Sequence, residues 1–235
     1  MKKLFFALLL IATVAVEAQD KSVLIKHYES FYKEMRNQGD MQGIINAMTH
    51  LNILKPSKER TDTLAYLYAN GGKYVQALNT IGIEKSESDS DLALEVKAVS
   101  LKALKQPQRA LEQYEILFKR QPNAFMAYEM ADLLIQIGQI DAASEKIEYG
   151  IANSKEEDKK GFYESQVPYE VQLKAAFVHL KALVEFNKDQ KNNIDAAIKL
   201  LDEAMTISPN FNLANLSKDA LLKRKETPAE TKPKN

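Results

Sequence analysis

The side chains best suited to chemistry in this chain are few and scattered. There are three histidines, His27, His50 and His179, and none has a second histidine at i+3 or i+4, the spacing that lets one helix face grip a metal ion. They read as packing or surface residues. Cysteine is absent, which removes disulfides, thiolate metal sites and CxxC redox pairs. No G-x-S-x-G elbow, P-loop or dinucleotide-binding glycine pattern occurs. Gly71-Gly72 sits between two helical stretches and follows no strand. The acidic loop Glu84 to Asp91 lacks the glycine of a calcium-binding turn and the bidentate glutamate beyond it. It reads as a solvated loop that caps a helix. Acids such as Glu156, Glu157 and Asp158 are neighbours only in sequence, which says nothing about a paired acid and base. The chain therefore carries no recognisable catalytic residue, metal site or cofactor motif, and a non-catalytic role is expected.

What organises the chain is a spacing. Ala65, Ala98 and Ala131 recur every 33 residues, as do Ala77, Ala110 and Ala143. A third column is Gly72, Lys105 and Gly138, and one period back lies Gly39. A period in the thirties is the signature of stacked helical hairpins. The first hairpin carries Val23, Leu24, His27, Tyr28, Phe31, Tyr32 and Met35, then Gly39 at the turn. Asp40 can cap the return helix with Ile44, Ile45, Met48, Leu51 and Leu54, and Pro56 stops it. The second has Leu64, Ala65 and Tyr68, the Gly71-Gly72 turn, then Tyr74, Ala77, Leu78 and Ile81. The third has Leu94, Ala98 and Leu101, with Pro107 well placed to open its second helix. Ala110, Leu111, Tyr114 and Leu117 follow. The fourth has Ala127, Met130, Ala131 and Leu134, then Gly138, Ala143, Ile147 and Ile151.

These residues resemble the tetratricopeptide repeat. Its small residue on each helix, glycine turn, large residue four later and closing proline are matched by Ala98, Ala110, Tyr114 and Pro122 in the third unit. Ala131, Gly138, Ala143 and Ile147 match it in the fourth, and Ala65, Tyr68, Gly72, Tyr74 and Ala77 in the second. The small residues belong where two helices cross closely, and the large ones fill the space beside them. The first unit departs from the pattern, with Tyr32 and Ile44 where small residues belong. The resemblance implies an all-α, right-handed superhelical solenoid of about five antiparallel helix pairs plus a capping helix. The units fall near 24–57, 58–90, 91–123, 124–152 and 168–209, with the cap at 211–223. It also implies a concave groove lined by the first helices. On this chain the groove positions are Lys33, Asn37, Asp62, Tyr66, Asn70, Glu95, Val99, Lys102, Tyr128, Asp132 and Gln136, an aromatic and polar mixture suited to a protein or peptide partner. The lysine/asparagine clamp of chaperone-binding members is missing, since its positions hold Glu29, Lys33, Asp62 and Thr63.

The period fails once. Ala143 and the next matching alanine, Ala197, are separated by one period plus 21 residues. The insert, 152–168, is charged and turn-rich but holds Phe162 and Tyr163, and Tyr169 follows. These aromatics either cover the edge of the fourth unit or bind a partner. From Tyr169 to Phe186 one long helix is expected, then Ile194, Ala197, Leu201 and Ala204 as a second helix closed by Pro209.

Both ends stand apart from the repeats. Lys2 and Lys3, the apolar run Leu4 to Val14 and the small-residue site at Ala18 form a secretory signal, so 1–18 is expected to be removed and the chain exported to the periplasm or beyond. The repeat domain is then 19–224, with a disordered tail at 225–235. No transmembrane segment is expected after cleavage. Basic and acidic residues balance at 32 each, which gives no global attraction to nucleic acid. The expected role is a protein-interaction module or scaffold in the cell envelope. A helical-repeat enzyme acting on envelope glycan or peptide, and a structural spacer, are the alternatives.

Overall fold

The computed structural model describes residues 2–226, with side chains from Asp20 onward. Met1 and the side chains of the expected leader, 1–18, lie outside that description, as does most of the expected tail, 227–235. The chain divides into two compact units, 1–104 and 105–235.

The first unit contains α1 (Lys2–Gln38), α2 (Met41–Leu54), α3 (Lys58–Asn70), α4 (Tyr74–Ile81) and α5 (Asp91–Ala103). Helix starts are set by side chains that accept from orphan amides three residues on: Asp40 from Gly43, Ser57 from Arg60 and Ser90 from Ala93. Each such cap is worth about 1 kcal/mol. The glycine column supplies the turns. Gly39, Gly72 and Gly138 have φ of 69°, 71° and 76°, and Lys105 adopts the same left-handed conformation at 59°. The spacing thus reports a backbone demand that one unit meets without glycine.

The alanine columns lie at the tightest contacts. Ala65, Ala77, Ala98, Ala110, Ala131 and Ala143 are all 0% exposed. In the first unit, Ile45, Met48 and Leu64 form a core flanked by Tyr32, Ile44, Leu67 and Tyr68. Tyr68 also packs against a neighbouring cluster of Ala65, Ala69, Ala77 and Val96. The oversized Tyr32 and Ile44 of the first pair are accommodated because the close approach moves to Gly43. A Cβ there would stand 2.4 Å from Met35 Sδ.

The acidic loop 84–91 is tied down rather than solvated throughout. Lys97, 3% exposed, donates to Glu84 O at 2.8 Å and pairs with Asp89. Lys58 donates to Ser88 O at 2.8 Å, and Ser90 donates to Asp62 at 2.7 Å.

The second unit contains α6 (Pro107–Arg120), α7 (Ala124–Gln136), α8 (Ile140–Asn153), β1 (Lys159–Phe162), β2 (Tyr169–Gln172), α9 (Leu173–Lys188), α10 (Ile194–Ile207) and α11 (Asn212–Glu226). Pro107 is the first residue of α6, and Asn123 caps α7 through Met126 N. Successive helices pack on one another, α6 on α7 through to α10 on α11. Leu133, Ile147, Leu173, Phe177, Leu180, Leu201 and Phe211 fill the interior.

Two expectations change here. The insert is not simply a turn-rich break but forms an antiparallel hairpin, pairing Lys159 with Gln172 and Phe162 with Tyr169. The long helix expected from Tyr169 begins instead at Leu173, because residues 169–172 form the second strand. Phe162 and Val171 point inward, 8% and 2% exposed, in the alternation a strand requires.

Candidate functional site

In the first unit a cleft of about 740 Å³ opens between α1 and α3 over α2. Its floor is Met48 and Leu51, and Tyr32 adds an aromatic wall. Around it stand four basic side chains, Lys26, Lys33, Arg36 and Arg60, against two acidic ones, Glu29 and Glu59. Helix α1 builds most of this wall because Lys26, Glu29, Lys33 and Arg36 recur at helical spacing on one face. Arg60 is held in place by Asn52 Oδ1 at 3.2 Å and Lys55 O at 2.8 Å, and Asn52 donates to Thr61 at 3.0 Å. This fastens the α2–α3 corner beneath the cleft. Lys26, Lys33 and Arg36 have no carboxylate partner among the described residues.

Of the groove positions inferred from sequence, Lys33 lines this cleft. Asp62 lines a smaller one of about 420 Å³ beside it, with Lys58, Ser90 and Leu92; Glu59 and Thr63 border both. Asp62 is 6% exposed and accepts from Ser90, so its carboxylate secures the start of α5. Asn37, Asn70 and Glu95 are exposed, as are Tyr66 at 41% and Val99 at 40%, while Lys102 is half-buried. Lys26, Arg36, Arg60, Met48 and Leu51 were not among the sequence candidates. The run of cations at i, i+7 and i+10 on α1 was the signal available for them.

The second unit treats its candidates differently. Gln136 is exposed and Asp132 half-buried, but Tyr128 is 6% exposed. Its ring meets Phe177 edge-on at 5.6 Å, with Lys160 Nζ 5.3 Å above it and paired to Glu129 at 2.9 Å. Burial pushes its phenol well above the usual value, with Asp132 and Glu129 adding to the effect. Phe162 stacks on Tyr169 at 5.7 Å and lies 5.0 Å from Phe211. Tyr163 is 79% exposed. Tyr169 donates to Glu164 at 2.5 Å and accepts from Leu213 N at 3.0 Å. Desolvation and the Glu164 bond raise its phenol to about 12.

Beside these rings, His179 is 3% exposed. Ser217 donates to Leu213 O at 2.8 Å, so the 3.0 Å contact with His179 Nε2 is a bond from the ring N–H to Ser217 Oγ. Desolvation lowers the imidazole to about 4, against the pull of Asp132 and Glu164. A neutral imidazole locked between α9 and α11 joins helices and has no access to a substrate. Among the described residues no group of three or more acid or imidazole ligands could hold a metal ion, and no helix is long and apolar enough to cross a membrane.

With this geometry in hand, similarity to solved structures decides the fold. A tetratricopeptide repeat protein from Parabacteroides merdae ATCC 43184 superposes with a TM-score of 0.64 at 15% identity, over 86% of this chain and 74% of its own. The fold is that of tetratricopeptide-repeat proteins. YrrB, described as a tetratricopeptide protein with an unusual peptide-binding site, gives 0.64 at 15% identity, covering 88% of this chain and 97% of its own. MamA gives 0.56 at 16%, covering 89% and 98%. No protein-family model and no curated protein matches the chain. The tetratricopeptide fold is therefore carried by structure at low sequence identity, and the hairpin 159–172 is built into it between α8 and α9.

Proposed function

We propose that this chain is a non-catalytic protein-interaction module of the cell envelope, and that its α1–α3 cleft binds an acidic, partly apolar segment of a protein partner. The observation that carries this is the trio Lys26, Lys33 and Arg36, unpaired along one wall above an apolar floor. Unpaired cations at a cleft rim attract and orient an anionic partner, and Met48, Leu51 and Tyr32 supply contact area. YrrB's peptide-binding site is a precedent on the same fold. The basic start, apolar run and Ala18 site of the sequence support export, so the partner is sought in the periplasm or outside the cell. Nothing favours the enzyme alternative. The two carboxyl groups held below their usual range, Glu164 and Asp189, lie outside the groove, at the hairpin and at the turn after α9. At Glu164 desolvation is outweighed by bonds from Tyr169 and Asn212.

The test is selection of a random twelve-residue phage-displayed peptide library on the full chain. Retained peptides should carry aspartate or glutamate beside an apolar residue. The double variant Lys33→Glu/Arg36→Glu should weaken them about tenfold, about 1.4 kcal/mol. Peptides without acidic residues, or affinity untouched by the charge reversal, would refute the cleft as the site.

A further inference from the structure

The hairpin in the second unit has one closed edge and one open edge. The closed edge belongs to β2. Asn210 Nδ2 donates to Glu170 O at 3.1 Å, and Gln172 N donates to Ser208 Oγ at 3.1 Å. Those two backbone groups therefore face away from β1. Leu173 N donates to Asp158 O at 2.8 Å. In the observed register this makes 158 and 173 a hydrogen-bonded pair, 159 and 172 a non-bonded pair, and so on alternately. All three bonds agree on the phase. It follows that the amides and carbonyls of Lys159 and Gly161 point outward from β1, and no protein group bonds them among the described residues.

We propose that this open edge of β1 receives an extended segment of a partner protein as a third strand. Outward backbone groups at alternate residues are a template for strand addition. The β2 edge is stoppered by Ser208 and Asn210, whereas among the described residues no side chain bonds the outward groups of β1. Gly161 brings no side chain, so an incoming strand can approach its backbone closely. The neighbouring groups define the chemistry of the incoming residues. Because Phe162 is buried, Lys159, Gly161 and Tyr163 share the outer face. A Cβ on Gly161 would lie 3.3 Å from the Tyr163 hydroxyl, so that ring, 79% exposed, lies over Gly161 and offers its outer side to an incoming residue. Lys159 is exposed, faces neutral Gln172 across the ladder and has no carboxylate partner among the described residues. The segment that fits is extended, with an acidic residue beside Lys159 and an aromatic or β-branched residue beside Gly161. This edge lies in the second unit, so it is a site separate from the α1–α3 cleft.

The same random twelve-residue library tests it, selected on the full chain carrying Lys33→Glu/Arg36→Glu so that the cleft does not contribute. The expected result is a family of peptides alternating β-branched or aromatic residues with an acid. Their affinity should fall at least about tenfold on Gly161→Pro, which deletes an outward amide and leaves the inward ladder intact. A second measurement needs no variant: a selected peptide N-methylated at alternate amides should lose binding in one of its two methylation phases and keep it in the other. Retention of no peptides, equal binding to Gly161→Pro, or indifference to both methylation phases would overturn the proposal. Concentration-dependent dimerisation abolished by Gly161→Pro would overturn it in favour of a second copy of this chain.

Discussion

The backbone of Gly150 on α8 lies against the face of Phe177 on α9: a Cβ at Gly150 would stand 1.9 Å from Phe177 Cζ. Phe177 is 0% exposed and has no room to retreat. Gly150→Ala should therefore destabilise the chain by about 1–3 kcal/mol, despite alanine's better helix propensity. Gly43→Ala is the comparison, since the obstructing atoms there belong to the flexible Met35 side chain and to the Asp40 carboxylate, both of which can turn aside. Its effect should stay within about 1 kcal/mol of zero, because propensity offsets the crowding. Urea melts of both variants check the difference.

The turn column gives a prediction of opposite sign. Lys105 holds φ at 59° where Gly39, Gly72 and Gly138 stand in the equivalent turns. A side chain in that conformation costs about 1–2 kcal/mol. Lys105→Gly should stabilise the chain by about 1 kcal/mol, and Gly138→Ala should destabilise it by a similar amount. Thermal denaturation reads both.

His179 makes stability depend on pH. Its folded value of about 4 lies below the ordinary value of 6.5. The unfolded chain therefore binds a proton at this site before the folded chain does. The contribution is complete above pH 6.5 and is lost as pH falls towards 4, by about 3 kcal/mol at most. Asp132 and Glu164 act against the shift. His179→Gln should shrink the stability difference between pH 7 and pH 4.5 by about 2 kcal/mol. Lowered by its hydrogen bonds, exposed Glu164 gives a further acid loss that the variant retains.

The buried Lys97 supplies a fourth expectation. Its ammonium is satisfied by Asp89 and by the carbonyl of Glu84. Lys97→Ala removes a buried cation and frees the loop, and should cost about 3 kcal/mol. Hydrogen exchange should rise at 84–90 and leave α7 and α8 unchanged.

Much of the fold was legible because one physical demand repeats. The alanine columns mark close helix crossings, and the 39/72/105/138 column marks left-handed turns. The same pattern located the insert by failing there. The hairpin was not legible. Its strands are four residues each, and inward Lys160 interrupts the apolar alternation carried by Phe162 and Val171. The burial of Tyr128 depends on Phe177 and Lys160, distant in sequence, so its position on α7 alone suggested an open groove. The cleft's cations were visible as letters, but their lack of acidic partners is a property of three dimensions.

The role of the cleft is tested most directly by site-specific photo-crosslinking in the cell that makes the protein. A photoreactive residue at Thr63, which borders the cleft, is compared with one at Ile53, 73% exposed and outside it. A discrete protein adduct from Thr63, absent from Ile53 and lost with Lys33→Glu/Arg36→Glu, is the expected result. Equal adducts from both positions, or none from Thr63 in folded protein, would contradict binding at the α1–α3 cleft.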